Sequence, residues 1–563
     1  MIGLLRDFFS NNTKWLEKQQ TTILSAAAVI TVANIFSSLS GLIRERLLIS
    51  QFFSSESSQL AYEAFQVAFQ IPDMMFQLII LGAVSAAFIP VFTHLKKTED
   101  EKTAFQLSST AMTILLLVFL AVSLVVAFFA YPITAWRTGQ AFTPEQVLMT
   151  ARLTQIMLAA QFFFAISNFL TGMLQSYQRF IVPAMAPVLY NVGILLGVML
   201  FSSQLGIYSA GVGVIIGAFI HMIVQLPLAF KLGFRFRPSL NLNFPGVKRF
   251  FSLMPPRLLT ISVTEIQNLA LGFFATSLGD LSFVVIRLAL RLMTIPIRMF
   301  GVPIGQASLP FLSEESTEKN LKKFSELVTK SLHQIAFFAY PAAVLLLILR
   351  VPFVRLIFGA HNFPWRTTIA TGKVVAIISL SIGAQAMVQL LVRAFHALKD
   401  TMTPFWITLT TTLVYLISSW FFVFKTPHGL LGIAVSLSVS SVLELILSII
   451  FLKRKLPDFG QKNLWLPQLK MLTASFFMAV FLYLPFKILD ELVFNTSRTI
   501  ELIGLTITTG TVGMLVYGYF SALFEIKELR LFANLITKFG PWRKLLEESD
   551  EVLVETSVEG DEI

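Results

Sequence analysis

Three arginines, Arg287, Arg291 and Arg298, lie inside an otherwise apolar stretch from Ser282 to Leu312. Their spacing of four and seven residues puts all three on one face of a helix. An arginine at the centre of a bilayer costs at least about 2.5–3.5 kcal/mol on insertion scales. A column of three must therefore face the interior of a helical bundle rather than lipid, and such a bundle handles something negatively charged.

The rest of the chain supports a membrane setting. It is 55% hydrophobic and only 13% charged, with a mean hydropathy of +0.74, whereas soluble domains carry roughly 25% charged residues. With no cysteine, disulfides, thiolate metal sites and a cysteine nucleophile are excluded. The six histidines show no metal-ligand spacing, so neither metal nor cofactor is expected. The net charge of +11 reflects topology and contact with anionic headgroups rather than nucleic acid.

Apolar runs long enough to cross a bilayer fall at 22–51, 63–92, 107–131, 148–172, 183–202, 208–230, 250–277, 282–312, 333–355, 372–396, 404–424, 429–452, 466–486 and 500–523. The expectation is an all-α polytopic protein of about fourteen transmembrane helices. Alternate connections carry 21 and 5 Lys and Arg, which places both termini in the cytoplasm by the positive-inside rule. Residues 1–21 read as an interfacial helix. The last eighteen residues, with eight acidic and no basic side chains, end a cytoplasmic tail, 524–563, that reads as solvated.

A repeat is visible. Gln178-Arg179-Phe180-Ile181-Val182-Pro183 and Lys399-Asp400-Thr401-Met402-Thr403-Pro404 are offset by 221. Ile71-Pro72 with Phe88-Ile89-Pro90 matches Ile295-Pro296 with Ser308-Leu309-Pro310 at offsets of 224 and 220. Six spans separate the copies, so two lobes, 22–230 and 250–452, would be related by an axis along the membrane normal. The segment 466–523 lies outside the repeat.

Polar stripes mark the helices that face the middle. Span two carries Glu63, Gln66, Gln70, Asp73 and Gln77 within about one quadrant. Span one groups Asn34, Ser38, Gly41 and Glu45 with Arg44 at the margin, and span seven aligns Arg257, Thr260, Thr264 and Asn268. Arg44, Glu63, Arg287, Arg291, Arg298, Gln70 and Gln77 are the candidate substrate-binding residues. The same residues have plainer readings. Arg44, Glu45 and Arg46 could snorkel to headgroups, Glu63 could end a loop, and the glutamines could join helices by hydrogen bonds. Glu265 and Glu444, deep in spans seven and twelve, could be proton or cation sites or neutral hydrogen-bonded groups.

Ser40-Gly41-Leu42-Ile43-Arg44-Glu45, then Glu63-Ala64-Phe65-Gln66-Val67-Ala68-Phe69-Gln70-Ile71-Pro72, Gly82-Ala83 and Ala87-Phe88-Ile89-Pro90-Val91-Phe92 resemble the amino-terminal signature of the MurJ (MviN) lipid II flippases. Gln178-Arg179-Phe180, Arg291-Leu292-Met293 with Pro296, Leu309-Pro310 and Lys399-Asp400-Thr401 with Thr403-Pro404 continue the likeness, which spans about residues 22 to 455. It implies the multidrug/oligosaccharidyl-lipid/polysaccharide exporter fold, with two six-helix lobes and two extra helices forming a groove for a polyprenyl tail. It also implies a monomeric, non-enzymatic transporter of the bacterial inner membrane, moving a lipid-linked anionic glycan among membrane lipids.

The family's cavity arginines match Arg44 and Arg291, and its helix-two aspartate matches Glu63, expected to pair with an arginine when the site is empty. Basic and acidic family positions are replaced by Phe76, Gln77, Leu81 and Leu290, and a sodium-binding carboxylate of some members by Leu271. Within transport, an ion-coupled exporter of drugs or polysaccharide lipids shares this fold. A silent membrane scaffold is the alternative outside it. ATP is not expected to drive transport, because Ala370-Thr371-Gly372-Lys373 is only a fragment of a Walker A motif.

Overall fold

A computed structural model of the chain describes residues 23–81, 88–244, 246–252, 254–317, 320–359, 362–456, 459–460, 462–494, 496 and 498–530. The expected interfacial segment 1–21, most of the acidic tail and the side chain of Arg257 lie outside the described residues. Every regular element among those described is a helix.

The first half runs α1 (Ile23–Phe52), α2 (Glu56–Ala68), α3 (Gln70–Phe76), a π turn (Gln77–Leu81), α4 (Ile89–Thr98), α5 (Glu101–Phe128), α6 (Ala130–Arg137), α7 (Pro144–Ser176), α8 (Ile181–Leu205), α9 (Tyr208–Ile223) and α10 (Leu226–Lys231). A short α11 (Val247–Ser252) leads into the second half. That half holds α12 (Met254–Thr276), α13 (Ser282–Pro296), a π turn (Ile297–Gly301), α14 (Val302–Thr317), α15 (Leu321–Ile348), α16 (Arg350–Phe358), α17 (Trp365–Ser379), α18 (Ile382–Ala397), α19 (Met402–Lys425) and α20 (Gly429–Lys455). The chain continues through α21 (Lys462–Leu492) and α22 (Thr499–Leu523).

Ten helices among the described residues are long and apolar enough to cross a membrane, or eleven if the bent pair α17 and α18, at 49°, is one span. The three remaining expected spans are the first, second and eighth, which carry the charged and polar stripes. Two of these three are interrupted, and proline is the local cause. Pro72 has no N–H to return to the carbonyl of Ala68, and the Thr154 hydroxyl donates to that carbonyl instead, at 3.3 Å. The second span thus divides into α2 and α3, while the eighth breaks at Pro296 into α13, a π turn and α14.

The repeat is visible in the backbone. The π turns Gln77–Leu81 and Ile297–Gly301 lie 220 residues apart. The turns after α7 and α18 are superposable in their bonding: Gln178 and Lys399 both take positive φ, 57° and 59°. The Arg179 N–H reaches the Leu174 carbonyl at 2.9 Å as the Asp400 N–H reaches that of Phe395 at 2.9 Å. Both are helix ends closed by a left-handed residue and a six-to-one bond.

Packing follows membrane rules. Large apolar side chains such as Phe128, 82% exposed, face outward, and α8 meets α9 along Gly193, Gly197, Gly213 and Gly217. A Cβ on Gly197 would lie 2.2 Å from the Cα of Gly213, so only the absence of side chains allows this approach. Helices α21 and α22 dock on α15: Tyr340 Oη donates to Gln468 Oε1 at 2.7 Å, and Tyr517 Oη to the Phe337 carbonyl at 2.9 Å.

Candidate functional site

Helices α1, α2 and α13 bring together a buried acid and two arginines. Glu45, on α1, is 1% exposed. Its carboxylate accepts from the Arg291 guanidinium of α13 and from Tyr62 Oη of α2. Gln66 Nε2 donates to it at 2.9 Å, and Arg44 Nη2 stands 3.5 Å away. Two positive charges therefore share one negative charge. Arg44 is held from its other side, since Nη1 donates to Asn191 Oδ1 of α8 at 2.9 Å. The Asn191 amide donates in turn to Ser40 Oγ at 2.8 Å, which fixes its oxygen toward the arginine.

Arg287 lies one turn before Arg291 on α13. Its guanidinium lies over the Phe283 ring, 6.0 Å from the centroid, and its buried Nε has no hydrogen-bond partner. The charges of Asp73, Glu265 and Arg44 act on it electrostatically. Asp73 is exposed and Glu265 buried. The side chains of Arg44 and Arg291 remain 16% and 25% exposed, so the cluster is open to a ligand on one side.

Glu63 does not occupy the place expected of it. Glu63 is buried, accepts the Phe283 backbone N–H at 3.2 Å through Oε1, and takes Gln146 Nε2 at 3.3 Å on Oε2. It caps the start of α13, where unpaired N–H groups and the helix dipole favour an anion. The arginine partner is Glu45 instead. The reason is depth: Glu45 is the acid on α1 level with Arg291, whereas Glu63 sits nearer the loop where α13 begins. That loop is tight, with Gly279, Asp280 and Leu281 all at positive φ.

The remaining candidates separate. Gln70 Nε2 donates to the Asn268 carbonyl of α12 at 2.7 Å, and its Oε1 accepts from Arg137 Nη1 at 2.6 Å, so it joins helices. Gln77 is half-buried at the start of the first π turn, and Arg298 is exposed on the second. Phe76 is buried against Phe164, with ring centroids 6.0 Å apart, which makes that position core. Among the described residues no group of three or more carboxylates and histidines could hold a metal.

The sequence reading did not single out Tyr62, Asn191 or Arg137. Tyr62 lies one residue before Glu63 on a helix whose turn carries it toward α1. The signal for Glu45 was present, since a buried arginine column requires an acid at its own depth.

Hydrogen bonds between residues 23–231 and 254–455 gather at the end where α2 and α13 begin, which the charge count expects outside. Besides Glu45–Arg291 and Glu63–Phe283, Arg46 Nη1 donates to the Leu356 carbonyl at 2.7 Å, and the Gly139 N–H to Thr276 Oγ1 at 2.9 Å. The Phe53 and Phe363 rings meet at 5.5 Å. The two halves are thus joined at the end where α2 and α13 begin.

A family model described as "Lipid II flippase MurJ" matches residues 57–502. A lipid II flippase MurJ of Burkholderia cenocepacia is 27% identical over 437 residues, covering 76% of this chain and 84% of that protein. A probable lipid II flippase MurJ of Bdellovibrio bacteriovorus is 26% identical over 522 residues, covering 92% and 97%. Among solved structures, the fold matches a lipid II flippase MurJ in an inward closed conformation, with a TM-score of 0.72, 22% identity and coverage of 88% of this chain and 98% of that one. It also matches a MATE family transporter of the MOP superfamily in an inward-facing conformation, with a TM-score of 0.61, 16% identity and coverage of 77% and 98%.

Proposed function

The chain belongs to the MurJ family of lipid II flippases, and from that premise we propose that it carries lipid II, or a related polyprenyl-diphosphate glycan, from the cytoplasmic to the outer leaflet by alternating access. It does so in the bacterial inner membrane, as a monomer with both termini in the cytoplasm, and without covalent chemistry. The observation that carries this reading is the sharing of Glu45 by Arg291 and Arg44 between the two halves, with Arg287 beside them.

A diphosphate offers what Glu45 offers, with more charge. Guanidinium groups bind phosphate oxygens by charge-assisted, partly bidentate bonds, so an entering headgroup competes with Glu45 for Arg291 and finds Arg287 without an ion pair to break. Displacing Glu45 from Arg291 loosens one of the bonds between the halves. Release outward then requires the Glu63 cap on α13 to part as well. An inside-negative potential favours moving an anion outward by about 2.3 kcal/mol per charge per 100 mV across the full field, which supplies direction.

The test is complementation of a bacterium depleted of its own flippase. Wild-type protein should restore growth and Arg291→Ala should not, at equal expression. Rescue by both variants would remove the arginine pair from the mechanism, and rescue by neither would favour the scaffold reading.

A further inference from the structure

A second contact at the outer end is built differently from the Glu63 cap. Arg137, the last residue of α6, is 5% exposed and has no carboxylate among its described bonds. Its Nη2 donates to the Val67 carbonyl in the last turn of α2 at 2.8 Å, where a helix end favours a cation. Its Nη1 donates to Gln70 Oε1 at 2.6 Å. Because an amide has one accepting and one donating end, this bond turns the Gln70 NH2 toward α12, where it meets the Asn268 carbonyl at 2.7 Å.

The opposing surface has no room for side chains. A Cβ on Gly272 of α12 would fall 2.2 Å from Gln70 Oε1 and 2.6 Å from its Nε2. A Cβ on Gly139 would fall 2.1–2.3 Å from Oγ, Cα and N of Ser277, next to the bond from Gly139 N–H to Thr276. Neither glycine is among the residues with positive φ, so close approach, and not backbone conformation, is what an added methyl would disturb.

We infer that Gln70 and Gly139 form an outer latch that closes on α12 at backbone contact, with Arg137 as the residue that positions the Gln70 amide. The inference rests on the alternating-access reading, since a latch matters only if the halves part. It also gives Gln70 a gating role in place of the headgroup contact expected from the sequence.

The latch is tested by the distance between spin labels at Glu145→Cys, at the start of α7, and His428→Cys, beside α20. Both positions are exposed, and the chain has no native cysteine. Measured without substrate, Gly139→Ala should shift the distribution to longer distances, because the methyl meets the Ser277 backbone. Gly272→Ala should do the same by expelling Gln70, and alanine is favoured over glycine within a helix, so the variant should fold. Combining Gly272→Ala with Gln70→Ala removes the clashing atoms, and the distribution should then match that of Gln70→Ala alone. Arg137→Gln should lengthen the distance, and Arg137→Lys should recover part of the closed population. Unchanged distances in a monodisperse Gly139→Ala or Gly272→Ala protein would overturn the latch, as would a Gly272→Ala/Gln70→Ala protein whose distances differ from those of Gln70→Ala alone. Because no substrate enters this measurement, the headgroup reading stands or falls separately, by complementation.

Discussion

At the scale of single residues, Glu45 is the internal counter-ion of the site. It contacts both Arg291 and Arg44, and on the proposed reading it is displaced when a diphosphate takes both. Glu45→Gln should therefore tighten binding of a soluble diphosphate headgroup analogue, read by isothermal titration, while slowing transport. Weaker binding would show that Glu45 organises the arginines more than it competes with the ligand. Arg291→Ala should abolish flipping, and Arg291→Lys should restore only part, since an ammonium lacks the planar fork. Glu45→Ala and Arg291→Ala should be non-additive by roughly 0.5–3 kcal/mol, as partners in one network are. Glu63→Gln should be additive with Arg44→Ala, because Glu63 bonds the α13 backbone and Gln146. The place of Arg287 and Arg291 in the bundle was legible in the sequence through their spacing and the cost of burying charge, whereas Arg298, read as the third of that column, is exposed on the π turn after Pro296. The partner was misread although depth pointed to it: Glu45 and Glu63 both lie on polar stripes, and only the relative depth of α1, α2 and α13 chooses between them.

At the scale of elements, the two C-terminal helices are tied to α15 more firmly than their place outside the repeat implied. Besides the Tyr340 and Tyr517 bonds, His333 lies 3.1 Å from the Leu464 carbonyl and 3.7 Å from Glu528. Leu464, Met471, Ala474 and Met478 share one apolar core with α15 and α18. Truncation after Lys455, which the sequence alone would expect to spare the two halves, should instead lower the melting temperature sharply. Each buried polar group left without its partner costs about 1–3 kcal/mol. Tyr517→Phe isolates one of these bonds and should cost about 1 kcal/mol, read by thermal unfolding in detergent. Elsewhere in the second half, the turn after α18 is pinned by Asp400. Burial raises its carboxyl, but hydrogen bonds from Lys455 and Thr403 outweigh this and hold it at about 2. A depressed pKa stabilises above the unfolded value and is lost as pH falls through the folded one. Asp400→Asn should thus lower the melting temperature near neutral pH, with the difference from wild type vanishing as the pH approaches 2. Equal losses at both pH values would mean that the carboxylate charge is not what pins the turn.

At the scale of the whole molecule, the helical class and the duplication were legible because apolar length and repeated proline motifs are local signals, and the matched turns at Gln178 and Lys399 express them in three dimensions. Which end is closed was not legible. It depends on contacts such as Gln70–Asn268 and Arg46–Leu356, which join residues 198 and 310 positions apart and leave no periodic trace in the chain. The central claim is that a basic cluster between two halves carries a diphosphate headgroup across the membrane. Its most direct test is the flipping rate of a fluorescent polyprenyl-diphosphate glycan in proteoliposomes under a potential that drives anions across. Wild-type protein should move the lipid between leaflets, and Arg291→Ala, incorporated to the same level, should not. Equal rates for the two proteins would contradict the account.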